Sequence, residues 1–360
     1  MKISRRLNSN GIALIVVMIA IFVLSMLVGA LAYSMKVETK LAMTANNEAA
    51  LTWLGRSGVE LARYVVAQQL AVGAEPYDSL NQKWAGGPGT LAASNSPLAN
   101  ISLENFQVGD GTVTVKITDL ERRININKAD QTVLNQALTL VGVDAGDIPA
   151  ISDSILDWVD PNPNSSVHRP NGAKSEYYQG LDPAYDAKSA PMDDLSELLL
   201  VRGITEDMYW GAASTNHAPA FFQKTDKFGR ILDAPAFTTG LHEIFTPLSD
   251  GRININTASA VTLQAIPGID ANAADQIIKI RSGPDGVDGT EDDTPFNNVG
   301  ELVNAVNPQI VSQLSRFCDV RSKTFEVEVD AQLGGSKRKF FAVIGRVSPR
   351  EVQILSFYWK

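Results

Sequence analysis

The sequence predicts an α+β fold: a long amino-terminal helix, a small antiparallel sheet, and a large all-α domain inserted between the strands of that sheet. An uncharged apolar run that continues into a helical pattern predicts the long helix. Alternating apolar and polar residues predict the strands, and amphipathic helical segments between them predict the insertion. The expected segments are a leader (1–11), the long helix (12–72), the first part of an α+β head (73–121), the inserted helical domain (122–320) and the carboxyl-terminal strands of the head (321–360).

Composition favours a folded, acidic protein that is not an enzyme. The 360 residues are 44% hydrophobic and 20% charged, which is ordinary for a folded chain, and two domains are the default for this length. The formal net charge of -9 makes the chain a poor general binder of nucleic acid, because phosphates repel it. Cys318 is the single cysteine, so the chain has no internal disulfide. The sequence has neither a zinc-hydrolase histidine spacing nor a nucleophile–base arrangement.

The amino terminus has the composition of a membrane anchor. Three basic residues, Lys2, Arg5 and Arg6, precede a run of 22 uncharged residues at positions 12–33. A helix of about 20 apolar residues spans a bilayer core, and the basic flank of such a helix stays in the cytoplasm. We therefore expect a single membrane pass, a cytoplasmic amino terminus, and the bulk of the chain outside the cytoplasm.

Three interpretations of this run compete. A secretory signal peptide would be cut near residues 29–32, where small residues follow the apolar core. A plain signal anchor would stay uncut. The third interpretation is a type III signal, in which a basic leader ends in glycine and cleavage between Gly11 and Ile12 leaves the helix attached. This last pattern resembles prepilins, and the resemblance implies cleavage by a prepilin peptidase and methylation of the new amino terminus.

The regions beyond the run resemble the spine and head of a pilin. Residues 36–70 contain no proline and place apolar residues at helical spacing, so the helix is expected to extend past the membrane. Two helices with a break near Gly55 or Gly58 are the alternative. Strands are predicted at residues 112–118, 323–333, 339–347 and 351–359. A long helix followed by antiparallel strands is the pilin head arrangement, and we expect all four strands in one sheet.

An internal repeat marks the helical insertion. The sequence RININ occurs at residues 123–127 and 252–256, and each copy precedes a short amphipathic helix, a turn and a second helix. The second copy resembles helix-hairpin-helix modules, whose glycine-rich turn holds a DNA phosphate on backbone amides. Here Asp144 and Asp270 replace the second glycine of each turn, and a carboxylate opposes phosphate binding. We therefore expect packing units and no nucleic-acid partner, with a membrane-tethered DNA-binding protein as the least favoured alternative.

Position 16 distinguishes the chain from most prepilins. Prepilins usually carry glutamate at the fifth mature position, where it neutralises the amino terminus of a neighbouring subunit, and here that position is Val16. This absence, the RININ segments, and the stretches at residues 155–179 and 194–205 resemble the general secretion pathway protein K family. Members of that family are minor pseudopilins of type II secretion systems.

The resemblance implies a subunit that caps the tip of a periplasmic pseudopilus and assists export of folded proteins across the outer membrane. It implies an anchor in the inner membrane of a Gram-negative bacterium. It also implies that the partners are other minor pseudopilins, those lettered I and J. A minor pilin of a type IV pilus, which is processed in the same way, is the main alternative.

The resemblance also implies calcium in the helical domain, where two acidic loops could supply oxygen ligands. Calcium takes about six to eight oxygens from carboxylates and carbonyls on flexible loops. The first candidate set is Asp157, Asp160, Asn162 and Glu176. The second is Asp285, Asp288, Glu291, Asp292 and Asp293, five carboxylates within nine residues. A solvated acidic turn is the alternative for the second loop, and Lys174 stands beside the first set where an acidic residue is expected.

Overall fold

The protein, described by a computed structural model over residues 9–90, 94–161, 169–214 and 237–359, is organised around one long helix. Helix α1 is Ser9–Ala71, 63 residues long. At 1.5 Å per residue it is roughly 95 Å long, enough to cross a bilayer and continue well beyond it. Among the residues described, α1 is the one helix that is long and apolar enough to span a membrane, and its most apolar stretch is not buried in the protein.

The second half of α1 packs on a sheet, and two glycines permit the close approach. A Cβ atom at Gly55 would overlap the ring of Phe340, and a Cβ atom at Gly58 would overlap the side chain of Val329. Helix α1 passes through both glycines without a break, so the alternative of two separate helices is wrong. The face toward the sheet buries Leu51, Leu54, Val59, Ala62, Val65 and Val66.

The described residues contain nine strands, and five of them form one antiparallel sheet. In chain order the strands are β1 (Phe106–Val108), β2 (Gly111–Asp119), β3 (Ile124–Asn125), β4 (Phe245–Thr246), β5 (Ile253–Asn254), β6 (Cys318–Asp319), β7 (Thr324–Leu333), β8 (Ser336–Ser348) and β9 (Glu351–Trp359). The sheet order is β1-β2-β7-β8-β9, so the strands before and after the insertion lie side by side. Val115 stands opposite Val329, which stands opposite Phe340. The predicted strands therefore share one sheet, as expected.

In the described residues between β2 and β7, helices are the main regular secondary structure, and these residues have a hydrophobic core of their own. Their α-helices are α2 (Gln131–Val141), α3 (Ile148–Val159), α4 (Ser175–Gln179), α5 (Glu206–Trp210), α6 (Leu241–Ile244), α7 (Ala260–Gln264), α8 (Ala271–Arg281) and α9 (Pro308–Leu314). Leu134, Ile155, Leu263 and Ile277 belong to this core, whereas α1 and the sheet form a separate one. The predicted α+β class, with a pilin-like head and an inserted helical domain, is confirmed.

The RININ segments add short strands that the sequence did not predict. Strand β3 pairs in parallel with β4, and β5 pairs in parallel with β6. In each copy the first asparagine is buried and its side-chain oxygen accepts a hydrogen bond from the amide two residues later: Asn125 from Asn127 at 2.9 Å, and Asn254 from Asn256 at 3.0 Å. Both copies of the repeat therefore specify the same connection, in which a short strand leads into a helix. The motif has a structural role.

A buried polar network joins the insertion to the head. The side-chain amide of Asn254 donates to the hydroxyl of Ser322 at 2.8 Å and to the carboxylate of Asp119 at 3.3 Å. Thr257 donates to the same carboxylate at 2.5 Å. The guanidinium of Arg346 pairs with Asp78, and both side chains are 2% exposed. Because buried polar groups are costly without partners, this network fixes how the two parts of the chain meet.

Glu121 is a buried acid beside that network. Its carboxylate accepts backbone hydrogen bonds from Asp250 and Thr324, both at 2.9 Å, so it links the insertion to the start of β7. Burial, together with the neighbouring charge of Asp119, raises the pKa of Glu121 from 4.5 to about 8. This raised pKa predicts that the stability of the junction changes with pH in the neutral range.

Candidate interaction surface and cation loops

The processing residues predicted from the sequence lie at the start of α1. Gly11 and Ile12 fall in its first turns, and their side chains are outside the described part of the structure. Val16 is described and is 59% exposed. An exposed valine offers no charge to a neighbouring amino terminus, whereas an exposed glutamate would.

The spine helix exposes aromatic side chains on the side that does not pack against the sheet. Trp53 is 66% exposed, and the guanidinium of Arg56 lies over its ring at 5.2 Å. Tyr64, farther along the helix, is 43% exposed. Eleven residues separate Trp53 from Tyr64, close to three helical turns, so both lie on one face of α1. Trp, Tyr and Arg are the residue types that most often dominate protein interfaces.

Strand β9 forms one edge of the sheet and is the other apolar part of the head surface. It has no charged residue between Val352 and Trp359. Leu355 and Trp359 are each 58% exposed, and Ile354 and Tyr358 are partly exposed. The register shifts so that Leu355 has no partner in β8 and forms a bulge. Natural proteins usually protect an edge strand with charges or a covering element, because a bare edge pairs readily with another chain.

Two contacts connect the spine helix and its underlying sheet to β9. Arg63 Nε donates to the carbonyl oxygen of Val352 at 3.0 Å, which ties α1 to the start of β9. Phe340, which lies beneath Gly55, stacks on Phe357 of β9 with ring centroids 5.7 Å apart. We call the surface formed by Trp53, Tyr64 and β9 the head surface. Its aromatic residues and open strand edge are suited to binding another protein.

The first acidic set lies at the carboxyl end of α3 and is matched by cations of this chain. Arg169 Nη1 is 2.8 Å from Oδ1 of Asp157 and 3.9 Å from Oδ2 of Asp160. Lys174 Nζ is 3.8 Å from the same Oδ2, and Lys174 is buried. Burial raises the pKa of Asp157, while the charges of Arg169 and Lys174 act in the opposite direction. Lys174, which stands where an acidic residue is expected, therefore lies among the predicted calcium ligands.

The remaining members of the first set do not gather around these two aspartates. Glu176 is exposed in the first turn of α4, and Asn162 lies outside the described residues. In the part of the chain that the structure describes, no three His, Cys, Asp or Glu side chains are close enough to hold one metal ion. Calcium at either loop therefore stays a prediction, and backbone carbonyls would have to supply much of its coordination.

The second acidic loop is tied to the second hairpin by an arginine. Asp288 forms a two-point ion pair with Arg281, with N–O distances of 2.6 and 3.0 Å. Arg281 is 4% exposed and also donates to the carbonyl oxygen of Ala258 at 2.7 Å. Sequence reasoning missed Arg281, although a basic residue at the end of a predicted helix, seven positions before Asp288, was an available signal.

The other carboxylates of the second loop are held mainly by backbone and hydroxyl groups of the loop. Asp285 and Asp293 each accept a hydrogen bond of 2.8 Å from a backbone amide within the loop. A hydrogen bond from the Thr290 hydroxyl to Asp292 lowers the pKa of that carboxyl. Glu291 is exposed. These donors fold the loop into a compact acidic turn, with Asp288 already committed to Arg281.

The two hairpin turns place their aspartates where a DNA-binding module would hold phosphate. Asp270 caps α8 and accepts from the backbone amide of Ala273 at 2.8 Å. Asp144 accepts from the backbone amide of Gly146 at 2.8 Å. A negative side chain that already uses these amides competes with a phosphate for the same donors. Both hairpins also contribute buried residues to the core of the insertion, Leu134 and Ile155 from the first and Leu263 and Ile277 from the second, as expected of packing units.

A membrane-length spine, an antiparallel head and a helical insertion define the class of protein as a pilin-like subunit. The fold has a match among solved structures: the crystal structure of the GspK-GspI-GspJ complex from the type 2 secretion system of enterotoxigenic Escherichia coli. The TM-score is 0.61 at 17% sequence identity, over 89% of this chain and 99% of the matched chain. This likeness establishes the fold.

Sequence comparisons give the family. A family model described as "Type II secretion system (T2SS), protein K" matches residues 105–213, and a helix-hairpin-helix model matches residues 249–318. A type II secretion system protein K from Pseudomonas aeruginosa is 24% identical over 331 residues, 86% of each chain. A protein K from Klebsiella pneumoniae is 28% identical over 160 residues, 37% of this chain and 48% of the relative.

Together these likenesses support a minor pseudopilin of the type II secretion system protein K family. The resemblance inferred from Val16, the RININ segments and the stretches at 155–179 and 194–205 is confirmed. The comparisons do not favour a type IV pilus subunit or a DNA-binding protein.

Proposed function

We propose that this chain caps the tip of a type II secretion pseudopilus by binding other minor pseudopilins, and thereby assists export of folded proteins across the outer membrane. The proposal includes an inner-membrane anchor with a cytoplasmic amino terminus and a periplasmic head and insertion. The work is assembly and not catalysis. The similar protein of known structure was crystallised with GspI and GspJ, which supports partners of the I and J type.

The observation that carries the tip position is Val16. A subunit below the tip would have to neutralise the amino terminus of the subunit above it, and an uncharged, exposed valine cannot do so. A subunit at the tip has no neighbour above it and needs no such charge. Cleavage after Gly11 would place Val16 at the fifth position of the mature chain. The mass of the mature protein tests that step, because it would begin at Ile12 and carry one methyl group.

The head surface is where the I and J partners would bind. It comprises the exposed face of the spine helix and the edge strand β9, which Arg63 links to that helix. A partner with its own parallel spine and sheet can cover the helix face and the strand edge together, whereas an ordinary soluble protein has no element aligned with the spine. The opposite edge, β1, is only three residues long and offers little edge for pairing.

Copurification of the detergent-solubilised full chain with I- and J-type pseudopilins of its own system tests the proposal. We expect a stable complex with the unaltered chain, and loss of that complex in Leu355→Arg, because a charge would be placed in the apolar surface. Val287→Arg is the matched control, since Val287 is 56% exposed on the second acidic loop, outside the head surface. Absence of any complex with the unaltered chain would contradict the function. An unaffected Leu355→Arg complex would contradict only the location of the surface.

A further inference from the structure

The carboxyl end of α3 gathers negative charge that needs compensation. Asp153, Asp157 and Asp160 lie in its last two turns and at its carboxyl cap. The helix dipole already makes this end negative, and α3 has no basic residue in its last turn. Asp153 and Asp157 are almost fully buried, so water cannot screen them well. Positive charge must reach this site from another segment or from a bound ion.

The segment that returns along α3 brings that charge. Arg169 pairs with Asp157 at 2.8 Å, and Lys174 approaches Asp160 at 3.8 Å. Between them, the backbone and side-chain amides of Asn171 donate to Asp153 at 3.2 and 3.3 Å. Contacts from three positions of the returning segment thus dock it on the acidic side of α3. The docked segment leads directly into α4.

Lys174 is the unusual member of this set. It is 7% exposed, and lysine is rarely buried unless its charge is paired. Oδ2 of Asp157 is also buried and has no hydrogen-bond partner among the described residues, so this side of the carboxylate depends on nearby positive charge. A small cation at this position would interact with the same carboxylates that Arg169 and Lys174 now approach.

We infer that Lys174, together with Arg169, supplies from within the chain the positive charge that a divalent cation would otherwise bring to the acidic end of α3. The site predicted from the resemblance as a calcium loop is therefore independent of calcium in this protein. Its order depends on a lysine, and an acidic residue at position 174 would convert it into a site that requires the ion.

Local hydrogen exchange of the full chain in detergent, followed over residues 169–180 with calcium or with a chelator, tests this inference. We expect the unaltered protein to show the same protection in both conditions. Lys174→Met is expected to exchange about tenfold faster in both, because it leaves a buried carboxylate uncompensated. Lys279→Met, on the exposed face of α8, is the control and should leave this segment unchanged.

Lys174→Asp gives the sharpest comparison. We expect its protection over residues 169–180 to be lost in chelator and regained in calcium. The inference is overturned if calcium protects this segment in the unaltered chain, or if Lys174→Met exchanges like the unaltered chain. It is also overturned if Lys174→Asp is protected without calcium, or if calcium fails to restore it. Because the readout is local, binding of calcium at residues 285–293 does not interfere.

Discussion

Gly55 carries a packing requirement that its sequence context does not reveal. In a helix, glycine is less favourable than alanine by about 1 kcal/mol, so local propensity argues against it. The ring of Phe340, fully buried beneath α1, occupies the space that a Cβ atom would need. The close approach of helix and sheet therefore selects glycine, at the cost of helix propensity.

Gly55→Ala is expected to destabilise the folded head by about 1–3 kcal/mol, because overpacking exceeds the gain in helix propensity. Chemical denaturation of the detergent-solubilised chain measures the change. Gly73→Ala is the matched control, since no atom lies within 4 Å of a Cβ at that position. A Gly55→Ala chain as stable as the control would contradict the packing described for α1.

The raised pKa of Glu121 predicts a particular direction of pH dependence. Folding favours the protonated form of this carboxyl, so its contribution to stability is present at low pH. That contribution is lost as pH rises from 4.5 toward about 8. Glu121→Gln cannot ionise, and the fall in thermal midpoint between about pH 5 and about pH 8 should be smaller than in the unaltered chain. Parallel pH profiles for the two proteins would refute this assignment.

At the scale of elements, the long strands and the spine were predictable because their signals are local. Apolar and polar residues alternate over the whole of 112–118 and 323–333. The uncharged run at 12–33 is long enough to predict a membrane-spanning helix. Strands β3 and β5 were not predictable, since two residues carry no periodicity. They exist because Phe245 and Cys318 bring distant backbone beside them. The sequence identified Asp144 and Asp270 in the hairpin turns but did not predict their hydrogen bonds, and of these two residues Asp270 caps a helix.

The second acidic loop remains a candidate calcium element. Addition of calcium to the full chain is expected to slow hydrogen exchange over residues 283–294, because the ion would relieve repulsion among its carboxylates. The double variant Asp285→Asn with Asp292→Asn should lose this response, whereas Asp275→Asn, exposed on the neighbouring helix α8, should retain it. An exchange rate in this loop that calcium does not alter would rule out the site.

At the scale of the whole molecule, the junction between head and insertion was the least predictable part. Five residues from separate regions of the chain meet at this junction in the folded protein: Asp78, Asp119, Asn254, Ser322 and Arg346. Each is an ordinary polar residue in its local sequence. The candidate cation site shares this limit: Asp157 and Asp160 were identifiable, but the docking of Arg169 on them required the fold.

The whole molecule combines a spine that anchors it, a head surface that would bind neighbours beneath it, and an insertion whose buried junction holds it on the head. The proposed tip position rests on Val16, because an uncharged residue there cannot neutralise the amino terminus of a subunit above it. A tip subunit should be present once per filament. A shaft subunit should be present many times along it.

Direct labelling of assembled pseudopili tests this position most directly. Cys318 is 1% exposed and burial raises the pKa of its thiol to about 12, so an introduced surface cysteine is the reactive one. Val303→Cys, on the exposed surface of the insertion, can carry a gold label visible by electron microscopy. A tip position predicts a single label at one end of each pseudopilus. Labels distributed along the shaft would contradict it.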